Sequence, residues 1–257
     1  MCFDTDSLPP IKPIAGGAFD TREMTLTAAD GVQLSAYAAR ATHPTGAGVI
    51  VLPDVRGLFH YYEELALRFA EHGIDSIAID YFGRTAGLGH RHADFDYQPH
   101  VAQTRWPSLA ADITAAASYL RSAEGGAVQS LFTVGFCFGG RVSWLSSTLG
   151  LDLAGVIGFY GKPVGPAANQ TPSPVDAAGQ MASPVQGHFG GADPGIPAGD
   201  IAAFETALTN ARVDHELISY PGAPHSFFDR KAADFGEASD NAWHATLEFV
   251  RRHMARR

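Results

Sequence analysis

Three side chains in this sequence have the types and the chain order that acyl transfer needs. Cys137 lies in Gly135-Phe136-Cys137-Phe138-Gly139, Asp193 closes Gly190-Gly191-Ala192-Asp193, and His225 closes Gly222-Ala223-Pro224-His225. A thiol supplies the nucleophile. An imidazole can take its proton and later pass one to a leaving oxygen, and a carboxylate can hold that imidazole in one tautomer. Each residue alone has a plainer reading: Cys137 as a core cysteine in a Gly-rich strand, Asp193 as a turn residue before Pro194, His225 as a loop histidine. Taken together, the plainer readings require three coincidences in the right order.

The elements around these residues would bring them to one rim. The apolar run at 131–134 leads into Gly-x-Cys-x-Gly, and a helical pattern follows (Val142, Leu145, Leu149) up to Gly150. A strand that turns sharply into a helix with a nucleophile at its tip is a nucleophile elbow, normally built on serine. The helix N-terminus behind Cys137 stabilises negative charge on sulfur and on an oxyanion. Further apolar runs at 49–52, 74–79, 156–160, 185–189 and 216–220 read as buried strands. They alternate with amphipathic patterns carrying Tyr62, Leu65 and Phe69, then Leu109, Ile113 and Leu120, Phe204 and Leu208, and Trp243, Leu247 and Val250.

That alternation predicts an α/β protein: a mostly parallel sheet of about eight strands with helices on both faces. Residues 24–27 and 32–38 around Asp30-Gly31 predict an antiparallel hairpin before it. Residues 1–20 read as an irregular arm and 21–257 as a single domain. Asp54, Cys137, Asp193 and His225 then fall at the carboxyl ends of strands, where functional groups gather in such sheets. Cys…Asp…His is the order of the α/β-hydrolase fold. The N–H groups of Phe138 and Val55 would form the oxyanion hole.

Two long segments remain. Residues 85–106 read as an excursion over the sheet end, with Phe95, Tyr97 and Trp106 expected to overhang the pocket as a lid. Two His and two Asp at 89–96 read as a solvated loop, and no metal is assigned to them. Residues 161–184 read as a Pro/Gly/Ala-rich insertion without chemistry.

Composition sets the bounds. A chain of 257 residues can bury a full core, and a net charge of −9 argues against nucleic acid and anionic membrane surfaces as partners. No apolar stretch approaches the length of a membrane span, and no basic, then apolar, secretory leader is visible. Two cysteines, one of them in the elbow, argue against a disulfide framework, so the chain is expected in the cytoplasm.

The stretches 134–140, 190–193 and 222–227 together resemble the dienelactone hydrolase (carboxymethylenebutenolidase) family, a cysteine branch of the α/β-hydrolases, over nearly the whole chain. The resemblance implies a Cys-His-Asp triad, a thiol acyl-enzyme, opening of a lactone to an acid, and no cofactor or metal. It aligns Asp54 with a family Glu that interacts with the thiol. Asp54 could equally cap the turn after its strand. It also aligns Arg84 with a substrate-carboxylate arginine. A second such arginine is replaced by Asp229, with Arg230 following, so the narrow substrate stays open. A broader carboxylesterase or lactonase acting on uncharged esters is the alternative, and a catalytically silent binding protein is another. The natural substrate, oligomeric state and pathway are not legible.

Overall fold

In the computed structural model, which describes residues 4, 6–166, 171–229 and 231–255, eight strands form one sheet. In chain order the elements are β1 (Ala18–Thr27), β2 (Gln33–Ala41), β3 (Ala47–Leu52), α1 (His60–Glu71), β4 (Asp75–Ile79), α2 (Gly83–Ala86), α3 (Gln98–Val101) and α4 (Trp106–Arg121). They continue with β5 (Ser130–Phe136), α5 (Phe138–Ser146), β6 (Leu153–Phe159), α6 (Pro174–Ala177), β7 (Val185–Gly190), α7 (Ala198–Ala211), β8 (His215–Tyr220) and α8 (Gly236–His253). The sheet order is β1-β2-β4-β3-β5-β6-β7-β8. The β1–β2 and β2–β4 pairs are antiparallel and the rest are parallel.

The patterning explains this arrangement. β1 alternates part-buried and exposed residues, as an edge strand with one wet face should, whereas every residue of β3, β4, β5 and β7 is buried. Those inner strands are covered on both faces by helices, with Leu65 and Phe69 of α1, Leu109 and Ile113 of α4, and Val142, Trp144 and Leu145 of α5 all buried. The hairpin forms at the expected turn, with Leu26 opposite Leu34.

Three expectations change in detail. The irregular arm ends at residue 17, because the alternation of β1 starts at Ala18; its Ser7 is buried and its hydroxyl donates to Asp229 Oδ2 at 2.6 Å. The 85–106 excursion is tied down by a buried ion pair, Arg91 to Asp80 at 2.9 Å, and contains α3 and a Phe95–His100 stack at 5.0 Å. The 161–184 segment contains α6 and a 3₁₀ turn at Ala178–Gln180; its residues 167–170 lie outside the described residues, as does Arg230.

Candidate active site

The elbow is held by close backbone contacts that only glycine permits. Cys137 has φ 55° and ψ −111°, a left-handed conformation that a non-glycine residue adopts at a cost of about 1–3 kcal/mol unless its surroundings impose it. The surroundings here do so. A Cβ on Gly135 would sit 1.9 Å from the carbonyl oxygen of Gly139, and one on Gly139 would sit 2.1 Å from that of Leu52. The strand, the turn and α5 are therefore in backbone contact, with Cys137 N–H donating to Phe159 O at 2.9 Å. Beneath the turn, Phe136 stacks on Phe159 at 4.7 Å and meets Tyr62 and Phe228 at 5.8 and 6.1 Å, so the strained residue stands on a fully packed aromatic layer.

Asp193 follows β7 and His225 follows β8, its parallel neighbour, which brings two residues far apart in sequence together. His225 Nδ1 donates to Asp193 Oδ2 at 2.6 Å, while Asp193 Oδ1 accepts the Gly195 N–H at 2.8 Å. One carboxylate thus shapes its turn and orients the imidazole, and the two readings of Asp193 describe its two oxygens. Tyr160, after β6, packs its ring 4.9 Å from that of His225. Cys137 and His225 line one cavity of about 260 Å³, together with Phe138, Tyr160, Pro166 and Ile196. Phe138 opens α5, where an N–H has no intrahelical acceptor. Among the described residues no backbone acceptor takes the Val55 N–H either.

Asp54 is fully buried at the end of β3, and its carboxylate is committed to Arg56. Oδ1 accepts the Arg56 backbone N–H at 2.9 Å and Oδ2 accepts from the guanidinium at 3.0 Å. That is the turn-capping geometry, and it shapes the Val55 peptide. The Arg56 guanidinium also lies 4.1 Å over the Phe59 ring.

Arg84 is placed elsewhere than the resemblance implies. Its Nη1 lies 2.6 and 2.7 Å from the two oxygens of buried Asp112, and Nη2 lies 2.7 Å from Asp30 Oδ2. It is not among the described residues lining the Cys137 cavity. The reason is electrostatic: two carboxylates, one of them buried, compete for the guanidinium. Asp229 turns away as well, accepting the Ser7 hydroxyl and the Lys231 backbone N–H. Phe95 and Tyr97 do not overhang Cys137; they line a larger cavity of about 660 Å³ with Arg56, Phe59 and His60. Trp106 lines neither and opens α4.

Sequence reasoning missed two cations of the Cys137 cavity, Arg141 and Lys162. Signals for both were present. Arg141 lies four residues past Cys137, one turn along the same helix, and Lys162 follows the end of β6.

Residues 34–254 match the model of the dienelactone hydrolase family. A Yersinia pestis protein provisionally named carboxymethylenebutenolidase is 31% identical over 228 residues, covering 87% of this chain and 85% of that one. A Bradyrhizobium protein provisionally named 2-oxo-3-(5-oxofuran-2-ylidene)propanoate lactonase is 29% identical over 210 residues, 80% of this chain and 84% of its own. A crystal structure from Klebsiella pneumoniae, of a protein provisionally named dienelactone hydrolase, superposes with a TM-score of 0.80 at 28% identity, covering 90% of this chain and 98% of that one. With this fold, this elbow and a match that spans most of its length, the chain belongs to the dienelactone hydrolase family and is a hydrolase of esters or lactones.

Proposed function

We propose that the chain opens a lactone or small carboxylic ester through a thiol acyl-enzyme on Cys137, with His225 as general base and acid and Asp193 as the residue that orients it. The observation that carries this reading is the shared cavity of Cys137 and His225, with the imidazole held from behind by Asp193 at 2.6 Å. With Nδ1 bonded to the carboxylate, Nε2 is the nitrogen that exchanges protons with sulfur and substrate.

The steps balance without a cofactor. The Cys137 proton passes to His225, and sulfur adds to the carbonyl carbon. The carbonyl electrons move onto oxygen, where the N–H groups of Phe138 and Val55 receive the charge. The carbon–oxygen bond of the leaving group then breaks, and that oxygen takes the proton from His225. In a lactone the leaving hydroxyl stays tethered to the acyl group. Water, losing a proton to His225, next adds to the thioester; the carbon–sulfur bond breaks, the acid is released and the thiol is re-formed. The apolar part of the cavity (Phe138, Tyr160, Pro166, Ile196) suits a compact, unsaturated or ring substrate.

The test is turnover of small lactones and activated esters by wild type and Cys137→Ala, with intact-protein mass spectrometry. We expect a transient mass increase equal to the acyl group on the wild type and none on the variant, and essentially complete loss of turnover. Turnover unchanged in Cys137→Ala would exclude the thiol mechanism.

A further inference from the structure

Arg141 is an unusual buried cation. Its side chain is almost fully enclosed, and every hydrogen bond that it makes among the described residues goes to a neutral acceptor: the carbonyls of Lys162, Gly165, Thr171 and Pro172 and the hydroxyl of Thr171. A buried guanidinium is normally matched by a carboxylate. Here the charge is solvated by carbonyl dipoles and, among the described residues, has no counter-ion at contact distance, with Asp176 acting on it only from further away. Burial lowers its pKa to about 10, so it stays protonated through the neutral range. The same bonds hold the carbonyls of Lys162, Gly165 and Pro172 around one guanidinium and fix the backbone of Lys162, which lines the cavity.

Lys162 is exposed, lines that cavity and has no ion pair shown among the described residues. No Asp or Glu is among the described residues lining the cavity. Arg141 and Lys162 thus put two positive charges on the cavity lining, against the one carboxylate, Asp193, that is held behind His225 and Gly195.

We propose that Lys162, backed by the uncompensated charge of Arg141, is the anion-reading residue of the cavity, and that it takes a carboxylate carried by the ester or lactone substrate. This rests on the hydrolase reading above and narrows it to acidic substrates. The reader sits on the β6 side of Cys137, whereas Arg84 on the β4 side is held by Asp112 and Asp30. Arg141 is a positioning residue in this arrangement, since it holds the Lys162 backbone; the ammonium is the group that meets the anion.

Two readouts test this. The first needs no turnover: the rates at which iodoacetate and iodoacetamide alkylate Cys137, followed on the Cys137 peptide by mass spectrometry. Both reagents alkylate sulfur with loss of iodide and differ chiefly in charge. The ratio of the iodoacetate rate to the iodoacetamide rate is expected to fall about tenfold in Lys162→Met, further in Lys162→Glu, and to be kept in Lys162→Arg. A tenfold change corresponds to about 1.4 kcal/mol, the size of one charge-assisted contact. The second readout is the preference, in kcat/KM, for an ester with a free carboxylate over its neutral methyl ester, which should fall in the same order. An alkylation ratio unchanged in both Lys162→Met and Lys162→Glu overturns the anion site. A ratio that falls while the substrate preference stays constant overturns the assignment of a carboxylated substrate. If Cys137→Ala retains turnover, the thiol mechanism fails, and the alkylation ratio still decides the anion site.

Discussion

His225 Nδ1 and Asp193 Oδ2 lie 2.6 Å apart although 32 residues separate them, because β7 and β8 run side by side and both release their chains at the same rim. The second oxygen of Asp193 is fixed by the Gly195 N–H at 2.8 Å, so the carboxylate presents one lone-pair direction to the imidazole.

Asp193→Asn keeps the size and the Gly195 contact, but can turn an amide N–H toward Nδ1 and stabilise the wrong tautomer. By the behaviour of serine triads, turnover should fall by about 10⁴-fold. Circular dichroism should show an intact fold, and steady-state kinetics on an activated ester read the loss. Near-normal rates would remove Asp193 from the proposed triad.

Asp54→Asn distinguishes the two roles open to that residue. With both carboxylate oxygens engaged by Arg56, the variant should lose about 1–3 kcal/mol of stability, from a charged hydrogen bond replaced in a buried place. Iodoacetamide should still label Cys137 at the wild-type rate. Markedly faster labelling in a folded variant, with slower hydrolysis, would instead make Asp54 a gate on the thiol.

Arg84→Ala should act on stability before specificity. Removing the guanidinium leaves Asp112, which is almost fully buried, without its partner, and breaking such a pair from one side costs about 3 kcal/mol. Urea denaturation should show that loss. Carboxylated and neutral substrates should be affected alike, and a selective loss on the carboxylated one would return Arg84 to the substrate.

His188 predicts an acid-side loss of stability. It is completely buried on β7, with Nδ1 against the Tyr220 hydroxyl at 2.9 Å and Nε2 against Gln186 Oε1 at 3.1 Å, and burial lowers its pKa to about 3. In the unfolded chain the ring titrates near about 6.5. Between those values the unfolded state takes up a proton that the folded state refuses, so unfolding gains as pH falls. The contribution is complete above about pH 6.5 and is lost toward about pH 3, at up to about 1.4 kcal/mol per pH unit. Urea midpoints measured across that range should drop, and His188→Gln should flatten the dependence. The same slope in the variant would assign the effect to another group.

Much of this protein is legible from residue types and periodicity. The all-apolar run of β3 and the mostly apolar run of β5 announce strands covered on both faces, and Asp30-Gly31 announces the hairpin. Gly135 and Gly139 announce the elbow, because close backbone contact leaves room for no other residue there. These are local or near-local constraints, set by hydrophobic period and by steric room. The order of Cys137, Asp193 and His225 adds the rim on which they meet, since parallel strands release their chains at one edge.

Only the tertiary structure decided where the charges go. Asp54 turned to Arg56 two residues on, Arg84 to Asp112 and Asp30, and Asp229 to Ser7 of the arm. Arg141 found carbonyls in a segment that reads as chemically empty in one dimension. A charged side chain is long and flexible, and its partner is chosen by whichever acceptors folding leaves buried and within reach. Sequence patterns follow burial by hydrophobic period, but they carry no record of which polar groups meet across distant loops. In this protein such meetings determine which cations line the cavity at Cys137.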